Sequence, residues 1–435
     1  MKIKMAENRS SKFAAATVLL VALVFFGTLA DLSAADIRRH KAEFTISEEP
    51  VSPAVDYNIL LFDNLRLSLV GIVGVSYDDN ITSARRNRRS SFYTTPRLRL
   101  GIDWPLTPNI HLGTGISAGY RYYFSEYGEN RFIVSFIDDL ATSAKADIYV
   151  GRGVLRLSNR FVRNTDGLDI GRTASRDYIL NRNTFGVSYR MPLAPVWSGI
   201  ARVSRRDTWT DTSEFRYHNN VRYLGSLTVL WQLNPDVQVG PYVSYEDVNY
   251  TSARGSAPIA NNDREAVEGG LTFLARPLPR LLVEGNAGYQ SINIGRSAFA
   301  VEQARGFTGR AAVRFASSEF TDHTLSITHD RNQDIVNPFV NYAQETTYMY
   351  GIASNIMRNL TVRGDIALVD IRESDFGENA DLWRVGAGAS YVLGPKVRAR
   401  FRYEYWHKSS DMRAGSGTDY SYHRNRASIF LEYDF

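Results

Sequence analysis

The chain of 435 residues contains no cysteine. That absence excludes a disulfide framework, a cysteine zinc site, a thiol nucleophile and an iron–sulfur centre. Lysine is scarce: positions 2, 4, 12, 41, 145, 396 and 408 hold all of it, so almost the whole positive charge of 51 Lys+Arg is guanidinium. Beyond Ala30 no apolar run is long enough to cross a bilayer as a helix. No H-E-x-x-H, no G-x-x-x-x-G-K and no EF-hand loop occurs, so no cofactor and no metal is expected. Acidic excess is missing as well; the net charge is +5, and with 44% hydrophobic residues the chain is no disordered tail. What is abundant is 25 Tyr, 22 Phe and 32 Gly, a composition of strands and turns.

Lys2, Lys4, Arg9 and Lys12 precede the apolar run from Phe13 to Ala30, and Ser33-Ala34-Ala35 follows. This reads as an export signal, residues 1–35, cleaved after Ala35; the alternative is an uncleaved inner-membrane anchor. An exported chain without cysteine or a later spanning helix goes to the periplasm or into the outer membrane as a barrel. Residues 36–64 show no sustained period and read as a periplasmic lead-in that could fold into the pore. Residues 65–435 read as the outer-membrane barrel. A TonB-dependent plug and an autotransported passenger are not expected.

From Leu65 onward, about ten residues of alternation are followed by a short turn or by a longer polar loop. Short turns fall near Pro105 to Asn109, Gly151 to Gly153, Pro192 to Pro195, Asn234-Pro235, Pro277 to Pro279, Ser317 to Thr321, Met357 to Asn359 and Gly394-Pro395. Long loops fall between them, among them Phe124 to Asp138, Arg372 to Asp381 and Lys408 to His423. The expected fold is all-β, a transmembrane up-and-down antiparallel barrel of about eighteen strands with short periplasmic turns and long external loops. A β-propeller has a similar period but four short strands in each, where this chain has two long ones.

Each strand has an apolar face and a charged one. In Lys396 to His407, Val397, Ala399, Phe401, Tyr403 and Tyr405 share a face, and Lys396, Arg398, Arg400, Arg402 and Glu404 share the other. A soluble sandwich would alternate equally, but here Trp104, Tyr120, Tyr122, Trp197, Trp231, Tyr289, Trp383, Tyr391, Tyr405 and Trp406 gather at strand ends, as interfacial girdles do. The last strand places Ala427, Ile429, Leu431, Tyr433 and Phe435 on one apolar face ending in an aromatic. It resembles the C-terminal signal read by the barrel-assembly machinery of outer membranes.

Gly115-Ile116-Ser117-Ala118-Gly119 matches the G-x-S-x-G elbow, which needs a strand-to-helix turn. It lies mid-strand, with His111 roughly 20 Å away at about 3.3 Å per residue, so no catalytic site and no enzyme is expected. His323 and His329 share a face at a similar separation, too far to hold one metal, and read as lumen or loop residues.

The informative side chain is arginine. With the apolar face toward lipid, Arg97, Arg99, Arg121, Arg156, Arg160, Arg202, Arg222, Arg310, Arg314, Arg363, Arg384, Arg398, Arg400 and Arg402 point into the lumen, as do Arg66, Arg206 and Arg426. Acidic partners are fewer: Asp103, Asp139, Asp147, Glu268, Glu284, Asp365, Glu404, Glu432 and Asp434. Guanidinium is always charged and makes planar, bidentate contacts, so this face suits carboxylate- or phosphate-bearing solutes. The alternative is a ladder of Arg–carboxylate pairs that braces the wall. In the first loop, Arg85-Arg86-Asn87-Arg88-Arg89 could draw an anionic polymer or clamp lipid phosphates.

Gly71 to Asn80, ending Ser76-Tyr77-Asp78-Asp79-Asn80, and the strand Phe92 to Leu100 together form a first hairpin similar to that of the β-barrel porin 2 family of outer-membrane proteins. The resemblance extends over Leu65 to Phe435 and implies a barrel with a role in envelope transport, often beside exopolysaccharide systems. The Arg-lined lumen also resembles, in architecture alone, alginate-export barrels. The expected function is a porin-like outer-membrane channel for an anionic solute or acidic exopolysaccharide. The alternative is a plugged structural or adhesive barrel acting through its loops. Expected partners are outer-membrane lipid and lipopolysaccharide, the barrel-assembly machinery and an anionic polysaccharide; nucleic acid is not one.

Overall fold

The computed structural model describes residues 59–61, 64–81, 87–126, 128, 130–134, 142–164, 179–211, 219–250, 263–294, 303–332, 343–373, 378–412 and 421–435. The export signal, most of the lead-in, Arg85, Arg86 and Asp139 lie outside them. The first segments are β1 (Ile59–Leu61), β2 (Leu65–Asp78), β3 (Ser91–Thr94), β4 (Arg97–Thr107), β5 (Ile110–Tyr123), β6 (Arg131–Val134) and β7 (Ser143–Val150). Then come β8 (Gly153–Asn164), β9 (Leu180–Ala194), β10 (Trp197–Thr210), β11 (Asn220–Asn234), β12 (Val237–Tyr250), β13 (Arg264–Leu278) and β14 (Leu281–Ile294). The last are β15 (Gln303–Ala316), β16 (Thr321–Asn332), β17 (Ala343–Met357), β18 (Leu360–Glu373), β19 (Glu378–Gly394), β20 (Val397–Met412) and β21 (Tyr422–Asp434).

All pairings are antiparallel, and the sheet closes because β2 pairs with β4 on one side and with β21 on the other. Two crossings are split. Thr95-Pro96, where proline has no N–H to give the ladder, divides β3 from β4. β6 and β7 both lie against β5 and β8 and form another single crossing. With these merged and β1 set aside as a short strand beside the start of β2, eighteen strands close the barrel. The lead-in thus ends in a strand, Ile59–Leu61, that its sequence pattern did not announce.

The eight short turns join strands at one end of the barrel. At one of them Gly151 takes φ 58°, a left-handed conformation that costs glycine nothing. At the opposite end the strands run further than their alternation suggested. Arg131–Val134 inside an expected loop is strand β6, and β18 and β19 are separated only by residues 374–377.

The barrel carries its large apolar side chains on the outside. Val73, Leu271, Phe307, Leu325, Ile429 and Leu431 are all at least half exposed, Phe307 to 75%. Arg97, Arg99, Arg121, Asp147, Glu284, Glu404 and Glu432 are buried on the inner face. This inversion separates a membrane barrel from a soluble sandwich, which would bury the first set and solvate the second. Trp197 stacks on Trp231 at 5.7 Å at the turn end, and Tyr289 meets Phe307 edge-on. Ala427, Ile429, Leu431, Tyr433 and Phe435 lie on the outer face of β21, with the Phe435 ring 3.1 Å from where a Cβ on Gly71 would stand.

Three corrections concern faces. Trp406 is not a girdle residue; it pairs in register with Arg384 and Arg424 on the inner face, and both Arg424 and Arg426 lie over its ring. His323 is on the outer face, between Phe315 and Tyr350, with a ring nitrogen 2.8 Å from the Tyr350 hydroxyl. The outer face also turns polar toward the loop end, where Arg205 pairs with Asp207 and Arg372 with Asp370.

Candidate functional site

Cross-strand partners share a face, so register shows which guanidiniums enter the lumen. One row runs Arg156, Ser188, Arg202, Ser226, Ser244, Glu268 across β8 to β13. The next row toward the loops but one runs Arg160, Thr184, Arg206, Arg222. Arg97 and Arg99 stand opposite Ile72 and Val70, and Arg121 opposite Arg131. Arg310 faces Asn286, and Arg314 faces Leu282. Arg363 and Arg402 share a row through Gly388, Arg384 lies beside Ala367, and Arg398 and Arg400 stand opposite Glu432 and Phe430. All fourteen arginines singled out from the sequence therefore share the inner face.

They form two kinds of wall. Around β18 to β21 and β2 the guanidiniums are laced with carboxylates. Glu432 holds both Arg398, at 3.7 Å, and Arg400; Glu404 holds Arg402 and Arg426; and Asp365 holds Arg384 at 3.0 Å. Asp78, with no exposed surface, takes Arg424 at 2.5 Å and Arg426 at 3.3 Å. Phe430 lies under Arg97 at 4.7 Å and Arg400 at 5.8 Å. This side matches the bracing alternative.

The wall of β8 to β11 is different. Arg156, Arg160, Arg182, Arg190, Arg202, Arg206 and Arg222 all face inward there. Among the described residues these four strands present no carboxylate to the lumen; Asp207 and Asp211 are on the outer face. The acids that border the strip come from its flanks, Asp147 on β7 with Arg156 at 2.6 Å and Glu246 on β12 with Arg222 at 3.3 Å. Arg182 and Arg190 were missed in the sequence. The signal was present, since Phe185, Val187, Tyr189, Met191 and Leu193 fix the opposite face of β9 by simple alternation.

Beside the strip an open recess of ≈ 260 Å³ lies in the lumen wall, reaching from Arg202 on β10 to Arg310 on β15. Tyr242 donates its hydroxyl to Glu268, and Asn286 donates to that hydroxyl at 3.1 Å. Arg310 reaches Asp330 at 4.0 Å.

Ser117 is buried on the inner face and its backbone N–H donates to Thr142 Oγ1 at 3.0 Å, in a strand with no helix after it. His111 is bonded to Asp103 at 2.5 Å. Among the described residues no group of three His, Asp or Glu side chains is placed to hold a metal. Of the basic run in the first loop, Arg88 meets a ring nitrogen of His423 at 3.0 Å.

No protein-family model matches the chain, and no curated protein does. Solved structures that it is similar to include Pseudomonas aeruginosa OccK5 (OpdH), 12% identical with a TM-score of 0.45 over 86% of this chain and 99% of that one. P. aeruginosa OpdK with vanillate aligns at 10% identity and a TM-score of 0.46, over 85% and 99% of the two chains. P. aeruginosa OccK2 (OpdF) in complex with glucuronate aligns at 11% and 0.45, over 85% and 98%. The strand pairing of this chain establishes its barrel, and no residue role is carried over from these structures.

Proposed function

We propose that the chain is a porin-like channel of the outer membrane that passes anionic solutes, and that the β8–β11 strip is its selective wall. The observation that carries this is the set of seven inward guanidiniums on four adjacent strands that offer no lumenal carboxylate. Neighbouring cations with no acid interleaved create a positive potential over that wall, which concentrates anions, and several weak guanidinium contacts in succession allow release. An acidic exopolysaccharide is the polymeric form of such a solute. Arg398, Arg400 and Arg402, expected from sequence to be central, serve this reading less well because Glu404 and Glu432 occupy them.

The test is the reversal potential of the refolded protein in a planar bilayer under a salt gradient. Wild type should favour the anion, and replacing Arg160, Arg182 and Arg206 together by Gln should bring the permeability ratio toward unity. A cation-selective wild type, or a triple variant with unaltered selectivity, would overturn the proposal. A second reading, a structural or adhesive barrel closed to solutes, is favoured by the fully buried Ile292 and Leu382 on the inner face near the loop end. It requires that no conductance be seen at all.

A further inference from the structure

We infer that the recess around Tyr242 is a subsite for one polyhydroxylated, carboxylate-bearing ring, a sugar acid; the inference rests on the anion-channel reading and gives it a substrate class. Three strands meet here at a single oxygen. Tyr242 of β12 reaches across to Glu268 of β13 and to Asn286 of β14. It can do so because Gly270 and Gly288 stand in its row: a Cβ on Gly288 would collide with the Tyr242 hydroxyl and come within 3.2 Å of Glu268 Oε1. The tyrosine therefore lies over bare backbone, in a place the sheet leaves open for it.

The hydrogen-bond accounting then points to the ligand. The tyrosine's proton goes to Glu268 and one of its lone pairs takes the Asn286 amide. Asn286 Oδ1 is buried and accepts nothing among the described residues, and so is Oε1 of Gln290, whose side chain is 7% exposed next to Glu268 in the register. What remains is acceptor capacity: two amide oxygens and the rest of a carboxylate. A plain anion brings no donors and is repelled by Glu268, whereas hydroxyl groups are donors that these oxygens can use. Donors for a carboxylate stand at the two sides of the recess, on Arg202 and Arg310. At ≈ 260 Å³ the space is smaller than the roughly 300–1,000 Å³ of pockets for drug-sized ligands, which suits one ring at a time.

The test is calorimetric titration of the refolded barrel in detergent with galacturonate, glucose and propionate, followed by current block in bilayers. Galacturonate should bind more tightly than either single-function probe, and Tyr242→Phe or Glu268→Gln should lower its affinity by about tenfold, the worth of one hydrogen bond with a charged partner. Equal binding of galacturonate and propionate, or undiminished affinity in both variants, would overturn the inference. Trigalacturonate separates the sources. Tighter binding and longer block than the monomer mark a polymer unit and equal binding a free sugar acid, and either result supports the subsite. The wild-type reversal potential, measured before any sugar is added, shows separately whether the channel reading stands.

Discussion

Asp78 is the residue on which the barrel's ends meet. Its carboxylate has no exposed surface and lies between two guanidiniums, Arg424 Nη2 at 2.5 Å and Arg426 Nε at 3.3 Å. A carboxylate so placed is tolerated because it is paired, and neutralising it leaves two like charges facing each other. Asp78→Asn is expected to cost about 3–5 kcal/mol, read from urea unfolding of the barrel refolded in vesicles. A loss under about 1 kcal/mol would mean that the site behaves as a solvated surface pair. The neighbours continue the same job: Ser76 bonds Ser428 at 2.8 Å, Asp79 takes Asn425 at 2.6 and 2.7 Å, and Asn80 Nδ2 donates to His423 O at 2.8 Å. The string Ser76 to Asn80 was readable as a signature of a family-like first hairpin. Its physical work was not, because every partner is more than 340 residues away.

At the scale of the strand, alternation alone was enough to assign both faces of β20 and β21, and it places each of the fourteen arginines inward. It failed where the pattern is locally ambiguous. Trp406 was taken for an interfacial aromatic because a tryptophan near a strand end usually is one, yet its even position puts it beside Arg424 and Arg426. The Thr95-Pro96 break and the piece Arg131–Val134 were invisible because four-residue segments carry too little period to register. The outer face makes its own prediction. Leu271, 58% exposed midway along β13, should tolerate no charge: Leu271→Arg is expected to cost about 2–4 kcal/mol at the bilayer midplane, measured by reversible folding into lipid vesicles. Were this face solvated, the substitution would cost next to nothing.

For the whole molecule, strand number and class were legible because short and long connections alternate so regularly. The division of the arginines into a braced wall and an electropositive one was not. It depends on register, and register shifts by one residue beside several turns, as at Trp197/Ser198, Gln232/Asn234 and Val392/Gly394. Which guanidinium meets which carboxylate is settled there. The two-walled lumen predicts a salt dependence. A field set by the β8–β11 strip reaches about 10 Å in 0.1 M salt and about 3 Å in 1 M. Anion selectivity should therefore be pronounced at the lower concentration and fade at the higher, for the same gradient ratio across the bilayer. Selectivity that persisted in 1 M salt would assign it to close contact instead of to the field.

The clasp at Asp78 has a kinetic consequence. Its bond to Arg424 joins residues 346 apart in sequence, whereas neighbouring strands elsewhere meet through hairpins. Local hairpins can zip early, but β2 must wait with an unsatisfied edge until the final strand arrives, and the loop to be closed is nearly the length of the barrel domain. The rate-limiting event in maturation is then a search by one end of the polypeptide for the other. During that search two strand edges are open to foreign pairing, so whatever shields them governs the yield of native protein.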